Sequence, residues 1–322
     1  MVQAPLPYDM FDVTRSADEA RRADKLSSIY HRGQALAWNG RDVLRELVAK
    51  HGPPKLPPEA RAPLARIFSI LMWGELAAWR ISAQLADRLE GLGEKMAATS
   101  QAFDEARHFY VLHDYLVLLG ENPGRPEPRA EAVLEMTLRT DSLAEKLLGM
   151  QLLIENIALT IFHYVRETKI EPVLCELLPY YEKDEARHVG LGVQALPGIL
   201  RRMGIPGGLS LFAFQFRLLI NVIRSLKAIE PDLRALGLSP RVVADHGTAK
   251  MNTSSRALFA EMGVKSTYGH EVSSRAMGAI VELAFPTEQG APLPARLSAA
   301  AHVIRHGIDV PAVPDDAAAL AN

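Results

Sequence analysis

The sequence has almost no cysteine and little that resembles a β-strand. Cys175 is the only cysteine among the 322 residues, which excludes an intrachain disulfide, a zinc ribbon and a thiol redox pair. Alternation of β-branched and polar residues is rare, whereas Ala, Leu, Glu and Arg recur with helical periodicity. We therefore predict an all-α protein in a reducing compartment, with the cytoplasm as its expected location.

An excess of charge of one sign is also lacking. The chain has 36 Lys and Arg residues against 38 Asp and Glu residues, a net charge of −2, and no basic stripe. This balance is too near neutral to suggest a nucleic acid or an anionic membrane surface as a partner. No glycine-rich strand-to-helix turn typical of nucleotide binding is visible, and residues 1–25 lack the apolar core of a signal peptide.

The longest apolar run, Leu147 to Val165, is close to the length of a membrane span. Glu155 and Asn156 lie in its centre, where charged and polar side chains are costly in a bilayer. We therefore expect a buried helix that carries a functional carboxylate, and no membrane span.

Proline and glycine divide the chain into helical segments. We expect an N-terminal helix over residues 17–50, a bundle of four long helices over residues 62–203, and additional helices over residues 209–306. The flanking helices carry apolar faces, which predicts a single domain over residues 1–322. The apolar helix after the bundle, with Phe212, Phe214 and Phe216, would wall a substrate channel, add to the core or form a dimer face.

Two identical pentapeptides, Asp-Glu-Ala-Arg-His, occupy residues 104–108 and 184–188. Each contains Glu-x-x-His, which on a helix places a carboxylate and an imidazole one turn apart on the same face. A glutamate in an apolar segment precedes each motif glutamate by 30 residues, and corresponding positions are 80 residues apart. The candidate ligands are thus duplicated: Glu75, Glu105 and His108 in the first half, and Glu155, Glu185 and His188 in the second.

The spacing also predicts geometry, because residues of two antiparallel helices are level when they are equidistant from the turn. The midpoint of the first glutamate pair is residue 90, within Glu90-Gly91-Leu92-Gly93, and that of the second is residue 170, just before Pro172. Each pair is therefore expected to face across its own hairpin, roughly 22 Å from the turn at about 1.5 Å per residue.

Four carboxylates on apolar helix faces would be prohibitively costly unless cations compensated them. Two divalent ions supply four positive charges. Oxygen and imidazole ligands without thiolate suit iron or manganese better than a structural zinc ion.

These residues resemble the ferritin-like di-iron carboxylate superfamily, in which a four-helix bundle contributes a glutamate from each of two helices and Glu-x-x-His from each of the others. The resemblance covers residues 62–203 and implies a ferritin-like bundle with two iron ions or a Mn/Fe pair. It places Glu75, Glu105 and His108 on one ion and Glu155, Glu185 and His188 on the other, with both motif glutamates bridging.

The Asp-Glu-x-Arg-His form is similar to bacterial multicomponent monooxygenases and related di-iron oxygenases. In that group the aspartate orients a metal-binding histidine. The resemblance implies that Asp104 and Asp184 each serve the histidine of the opposite motif, and that Arg107 and Arg187 pair with these aspartates.

No named subfamily is matched in full. Leu112 stands where ribonucleotide reductase small subunits have a radical tyrosine. Ala77 and Met150 replace the valine and tyrosine that ligand-binding oxidases of the superfamily crosslink, and Leu159 replaces the monooxygenase threonine. Tyr181, one turn before the second motif glutamate, either lines the site or fills the bundle.

The resemblance implies an O2-activating di-iron oxidoreductase, an oxygenase or oxidase, that acts on an apolar organic substrate. Electrons would come from a separate ferredoxin or flavin reductase, and we expect a homodimer that binds no nucleic acid. Two alternatives stay open: a ferroxidase or iron-handling protein, and an interaction subunit with a vestigial site.

Overall fold

The computed structural model describes residues 12–14, 17, 24–263 and 268–307, and within these ranges it contains helices and no strand. The helices that the text refers to are α1 (Asp24–Ala35), α2 (Gly40–His51), α3 (Pro58–Arg88), α4 (Leu92–Leu118), α5 (Pro128–Arg139), α6 (Leu143–Thr168), α7 (Pro172–Arg202), α8 (Ile205–Ala228), α9 (Glu230–Ala235), α10 (Pro240–Glu261), α11 (Tyr268–Ala284) and α12 (Leu293–His306). The predicted all-α class is confirmed.

Helices α3, α4, α6 and α7 form the four-helix bundle, with α3 packed along α4 and α6 packed along α7. The turn between α3 and α4 lies at residues 89–91, and the turn between α6 and α7 lies at residues 169–171. The glutamate spacing predicted both positions. At the second turn Lys169 adopts a left-handed conformation, and the Glu171 carboxylate accepts hydrogen bonds from the first backbone N–H groups of α7.

The segment predicted as one helix over residues 17–50 is instead divided, because α1 ends at Ala35 and α2 begins at Gly40. Residues 18–23 of that prediction lie outside the described residues. Asn39 has an extended backbone, and its side-chain oxygen accepts hydrogen bonds from the backbone N–H groups of Arg41 and Asp42. This N-cap begins a new helix and separates it from α1.

The candidate ligands divide the apolar core into two clusters at opposite ends of the bundle. One cluster contains Leu64 and Phe68 of α3 with Leu174 of α7, near the turn between α6 and α7. The other contains Leu85 and Leu89, near the turn between α3 and α4. The two hairpins therefore turn at opposite ends, and the ligands lie at mid-height where water is excluded from both sides.

Two helical stretches are long and apolar enough to cross a membrane by length and composition alone. In Leu143–Thr168, 78% of the most apolar window is buried inside the protein, which is typical of a core helix and agrees with the prediction. In Ile205–Ala228 only 22% of that window is buried. This second helix, α8, therefore presents much of its apolar surface outward.

Candidate metal centre

The structure brings all six candidate ligands together at the centre of the bundle. Helix α3 contributes Glu75 and α6 contributes Glu155, while α4 and α7 each contribute a motif glutamate and histidine. All six side chains are buried, none with more than 4% of its surface exposed. Their ligand atoms form two groups within which all atoms lie within 4.8 Å of one another. The groups are Glu75, Glu105, His108 and Glu185, and Glu105, Glu155, Glu185 and His188.

Glu105 and Glu185 belong to both groups. The Nδ1 atom of His108 lies 3.4 Å from Glu105 Oε2 and 3.1 Å from Glu185 Oε1. The Nδ1 atom of His188 lies 3.0 Å from Glu105 Oε1 and 2.7 Å from Glu185 Oε2. Each of these glutamates therefore directs one oxygen to each half of the site, which is the geometry that a bridging carboxylate needs.

The two aspartates cross from one motif to the other. His108 Nε2 lies 3.0 Å from Asp184 Oδ2, and His188 Nε2 lies 3.4 Å from Asp104 Oδ2. Each histidine thus has Nε2 directed to an aspartate and Nδ1 free to face the centre, as the resemblance implied. An aspartate in this position fixes the imidazole orientation and raises its basicity toward a metal ion.

Two arginines close the aspartates into a ring. Arg107 Nη2 lies 2.5 Å from Asp104 Oδ1 and 2.7 Å from Asp184 Oδ2. Arg187 Nη2 lies 2.9 Å from Asp104 Oδ2 and 2.7 Å from Asp184 Oδ1. Since the two aspartates carry the same charge and are almost fully buried, the arginines neutralise a pair that would otherwise repel. The nearby cations lower the pKa of Asp184 against the opposing effect of burial.

The pKa shifts of the candidate ligands indicate an excess of negative charge at the centre of the site. Burial and repulsion from Glu185 raise the pKa of Glu75 and Glu155 well above the ordinary range. Burial acts the same way on Glu105 and Glu185, the glutamates shared by both groups, but the histidines lower the pKa of both. Burial alone would lower the pKa of each histidine, yet the surrounding carboxylates raise it well above the usual value. The four buried carboxylates therefore depend on positive charge at the centre, which two divalent ions would supply.

Three polar atoms at the centre fit a bound cation. Glu105 Oε2, Glu185 Oε1 and His108 Nδ1 are buried and, among the described residues, none has a hydrogen-bond partner of good geometry. A buried polar atom without a partner costs free energy. Because all three atoms point into the same space and can act as ligands, a metal ion there would satisfy each of them.

Helix α6 is not regular where it approaches the site. Residues Leu148–Ile154 form a π-helix that ends immediately before Glu155. Gly192 of α7 packs against this segment, because a Cβ atom there would lie 2.7 Å from the Cβ atom of Gln151. The wider turn changes the direction in which the following residues point, and such segments are frequent at functional sites.

Three polar residues that the sequence reasoning missed also border the ligands. The side-chain amide of Gln101 donates to Glu105 Oε1 at 2.9 Å and to Glu155 Oε1 at 2.7 Å, and Gln151 donates to Gln101 at 3.1 Å. The indole of Trp38 donates to Asp184 Oδ2 at 2.8 Å. Gln101 lies one turn before Glu105, so helical periodicity could have identified it, whereas nothing in the sequence spacing pointed to Trp38.

Aromatic rings cover one side of the centre. Tyr181 stacks on His108 with ring centroids 4.3 Å apart and donates its hydroxyl to the backbone oxygen of His108. Trp38 lies against Tyr181 and Tyr180. Tyr181 therefore lines the site, which resolves the alternative left by the sequence. Trp73 instead donates to the backbone oxygen of Gly124, away from the ligands.

An apolar cavity of about 150 Å³ reaches the ligands Glu75 and Glu155, and neither Trp38 nor Tyr181 lines it. Among the described residues that line it, only Glu75 and Glu155 are charged, and Ala78 and Ala158 follow them one turn later. Helices α3, α5 and α6 form one wall, and α8, α10 and α11 form the other. The additional C-terminal helices therefore wall a pocket, and α8 contributes through Leu219 and neighbouring residues.

No protein-family model matches the chain, and no curated protein matches it either. Among solved structures it is similar to a variant of an R2-like ligand-binding oxidase with an aerobically reconstituted Mn/Fe cofactor. The two chains share 14% sequence identity with a TM-score of 0.55, and the match covers 72% of this chain and 93% of the other. The chain therefore has the ferritin-like, all-helical fold that its glutamate and histidine spacing predicts.

Proposed function

We propose that the chain is an O2-activating oxidoreductase, an oxygenase or oxidase, with a two-metal centre at the middle of its bundle. Glu75, Glu105 and His108 would hold one ion, and Glu155, Glu185 and His188 the other. The partnerless buried atoms that point into the shared space carry this proposal. We propose two iron ions, or a Mn/Fe pair such as the one in the structurally similar oxidase.

Two such ions, when bound and reduced, supply the electrons and the affinity for O2 that the reaction needs. The protein contributes geometry and charge. The two shared glutamates hold both positions in fixed register, and the two aspartates orient the histidines that face the centre. The buried arginines balance the aspartates, so the four ligand carboxylates remain to balance the metal charge. The apolar clusters above and below exclude water.

The cavity supports an organic substrate over iron as the substrate. Its walls carry no charged side chain except Glu75 and Glu155, so they offer no acidic path for an iron ion. A space of about 150 Å³ with mostly apolar walls accepts an apolar group of about the size of one aromatic ring. We therefore propose that an apolar substrate approaches the metal pair from the side of Glu75 and Glu155.

The remaining features of the proposal follow from the sequence. Electrons would come from a separate ferredoxin or flavin reductase, because no nucleotide-binding motif is visible in the chain. We propose a cytoplasmic location, a homodimer and a single domain, with residues 62–203 as the bundle that binds the metal.

Metal analysis of protein grown with iron, manganese or both tests the assignment. We expect two ions per chain, no mineral growth on addition of Fe(II), and O2 consumption by the reduced protein that increases with an apolar substrate. Many irons per chain would favour the ferroxidase alternative. Protein that takes up no metal under any of these conditions would favour a vestigial site and would refute the proposal.

A further inference from the structure

Helix α8 exposes a row of large apolar side chains. Ile205, Leu209, Phe212 and Phe216 are 82%, 66%, 63% and 49% exposed. Their spacing of four, three and four residues places them on a single face of the helix. A contiguous apolar face of this kind on a protein surface marks an interaction site.

The opposite face fixes α8 to the protein. Leu211, Phe214 and Leu218 are buried, and the last two pack against Val133 of α5 and Leu153 of α6. The helix therefore lies along the bundle and cannot cross a bilayer without leaving its own core. A partner that binds the exposed face must therefore lie parallel to the axis of α8.

The charged residues of α8 itself are all basic, although Glu145 of α6 lies beside Ser210 near the start of the helix. Helix α8 contains no Asp or Glu, and its Arg217 and Arg224 are exposed. Neither arginine forms an ion pair within the part of the chain that the structure describes. Lys227 differs, because it pairs with Glu230. Arg202, the last residue of α7 and three residues before α8, is also exposed. The chain as a whole is nearly neutral, so its net charge conceals this local basic border.

The exposed face continues into the cavity. Leu219, Ile223 and Leu226, in the C-terminal half of α8, line the pocket that reaches Glu75 and Glu155. Counted at 100° per residue, Ile223 lies on the same side of the helix as Ile205 and Phe216. One helix therefore carries an apolar strip from the protein surface to the pocket wall.

We propose that α8 docks in the plane of an anionic lipid surface, with Phe212 and Phe216 among the acyl chains and Arg217 and Arg224 at the phosphates. An apolar face bordered by basic residues is the pattern of helices that bind the membrane interface. Each arginine near such a surface favours binding. A second copy of the chain fits less well, because pairing of this face with itself would bring unpaired arginines together without an acidic partner.

Docking also places the helix that forms part of the pocket wall against the bilayer, where apolar molecules concentrate. Delivery of a lipophilic substrate along α8 rests on the proposed function, whereas the docking itself does not. The two can therefore fail separately.

Co-sedimentation of the full chain with vesicles tests the docking. We expect binding to phosphatidylcholine vesicles that contain one third phosphatidylglycerol, weak binding to phosphatidylcholine alone, and a decrease as salt is added. The double variants Phe212→Glu with Phe216→Glu and Arg217→Glu with Arg224→Glu should each lower binding by roughly tenfold or more.

A matched control replaces Val117 and Leu118 of α4 by glutamate, since these apolar residues are 50% and 42% exposed on another helix. It should leave vesicle binding unchanged, and circular dichroism should show that every variant remains helical. Equal binding by the α8 variants and the wild type would overturn the proposal. Absence of wild-type binding at low salt would overturn it too, as would sedimentation velocity showing a dimer that the Phe212→Glu and Phe216→Glu pair converts to monomers without any vesicle binding.

Metal content and O2 consumption are measured on the same samples. If the α8 variants lose vesicle binding but keep two ions per chain, docking and the metal centre are separate properties. If the wild type binds vesicles but takes up no metal, the proposed function fails while the docking stands.

Discussion

The two halves of the site have the same ligands but different neighbours. Each half contributes a glutamate, a Glu-x-x-His motif and an aspartate that reaches the opposite histidine, with an 80-residue offset throughout. Four residues before the motif glutamate, however, the first half has Gln101 and the second has Tyr181. The glutamine donates to two ligand carboxylates, whereas the tyrosine stacks on His108 and donates to a backbone oxygen.

The helices that carry the two upstream glutamates differ as well. Helix α3 is α-helical throughout, with Leu71 one turn before Glu75, whereas α6 has a π-helix and Gln151 one turn before Glu155. The candidate ligands are duplicated but their neighbours are not, so the two proposed metal positions would be chemically different. We expect one position to prefer a different metal or oxidation state from the other.

The largest effect is expected at the positions that both halves share. Glu105→Ala or Glu185→Ala removes a ligand from both groups and should lower the metal content from two ions per chain to none, as measured by elemental analysis. Glu75→Ala and Glu155→Ala remove a ligand from one group only and should retain one ion. Circular dichroism should show all four variants to be helical. Two bound ions in the Glu105→Ala protein would contradict the bridging assignment.

Substitution of the two aspartates should lower metal affinity less than loss of a shared glutamate, and the two substitutions should differ in size. Asp184→Asn weakens a charged contact with His108 and both arginines, and it also affects the bond from Trp38. We expect metal affinity to fall roughly 10- to 100-fold, and the free energy of unfolding in urea to fall by about 3 kcal/mol.

Asp104→Asn is the matched control in the other half, since Asp104 lies farther from its histidine and makes no contact with Trp38. Its loss of affinity should be smaller. Equal losses in the two variants would show that Trp38 and the shorter distance contribute nothing to the difference between the halves.

Gln101→Leu should affect the second half more than the first. It removes the hydrogen bond to Glu155, which belongs only to the second group, as well as the one to the shared Glu105. We expect affinity at one of the two positions to fall about tenfold, which a stepwise metal titration followed by absorption would resolve. An equal loss of metal affinity at both positions would instead show that Gln101 stabilises the site as a whole.

Tyr181→Phe should have the smallest effect. The ring that stacks on His108 remains, and only one neutral hydrogen bond to the backbone is lost. Thermal unfolding should register a loss of about 1 kcal/mol, with two ions still bound. A large fall in metal affinity would show that the hydroxyl acts on the centre, which its position does not predict.

The ligands and the bundle could be predicted because their signals are local. Helical periodicity placed each glutamate and histidine on one face, and Gly91 and Pro172 marked the turns between the hairpins. The crossed aspartates agreed with the resemblance. These features depend on spacing within a helix or across one turn.

The features that could not be predicted depend on packing between segments that are distant in sequence. Trp38 lies in the break between α1, which ends at Ala35, and α2, which Asn39 caps, and 146 residues separate Trp38 from its partner Asp184. The π-helix before Glu155 has no signature in its apolar residues. The cavity forms only where α8, α10 and α11 cover the bundle, so its shape could not be read from any single helix.

The crossed contacts between aspartates and histidines also constrain how the protein folds. Asp104 and His108 lie on one hairpin, and their partners His188 and Asp184 lie on the other, so neither hairpin can assemble the centre alone. The site is in effect an internal interface between two halves of one chain, joined by the connection around residues 119–127 and α5. If these residues bind metal as proposed, the complete ligand set would exist only after the two hairpins have docked, an event that depends on contacts distant in sequence. A newly made chain would then lack the complete site until its second hairpin has been synthesised.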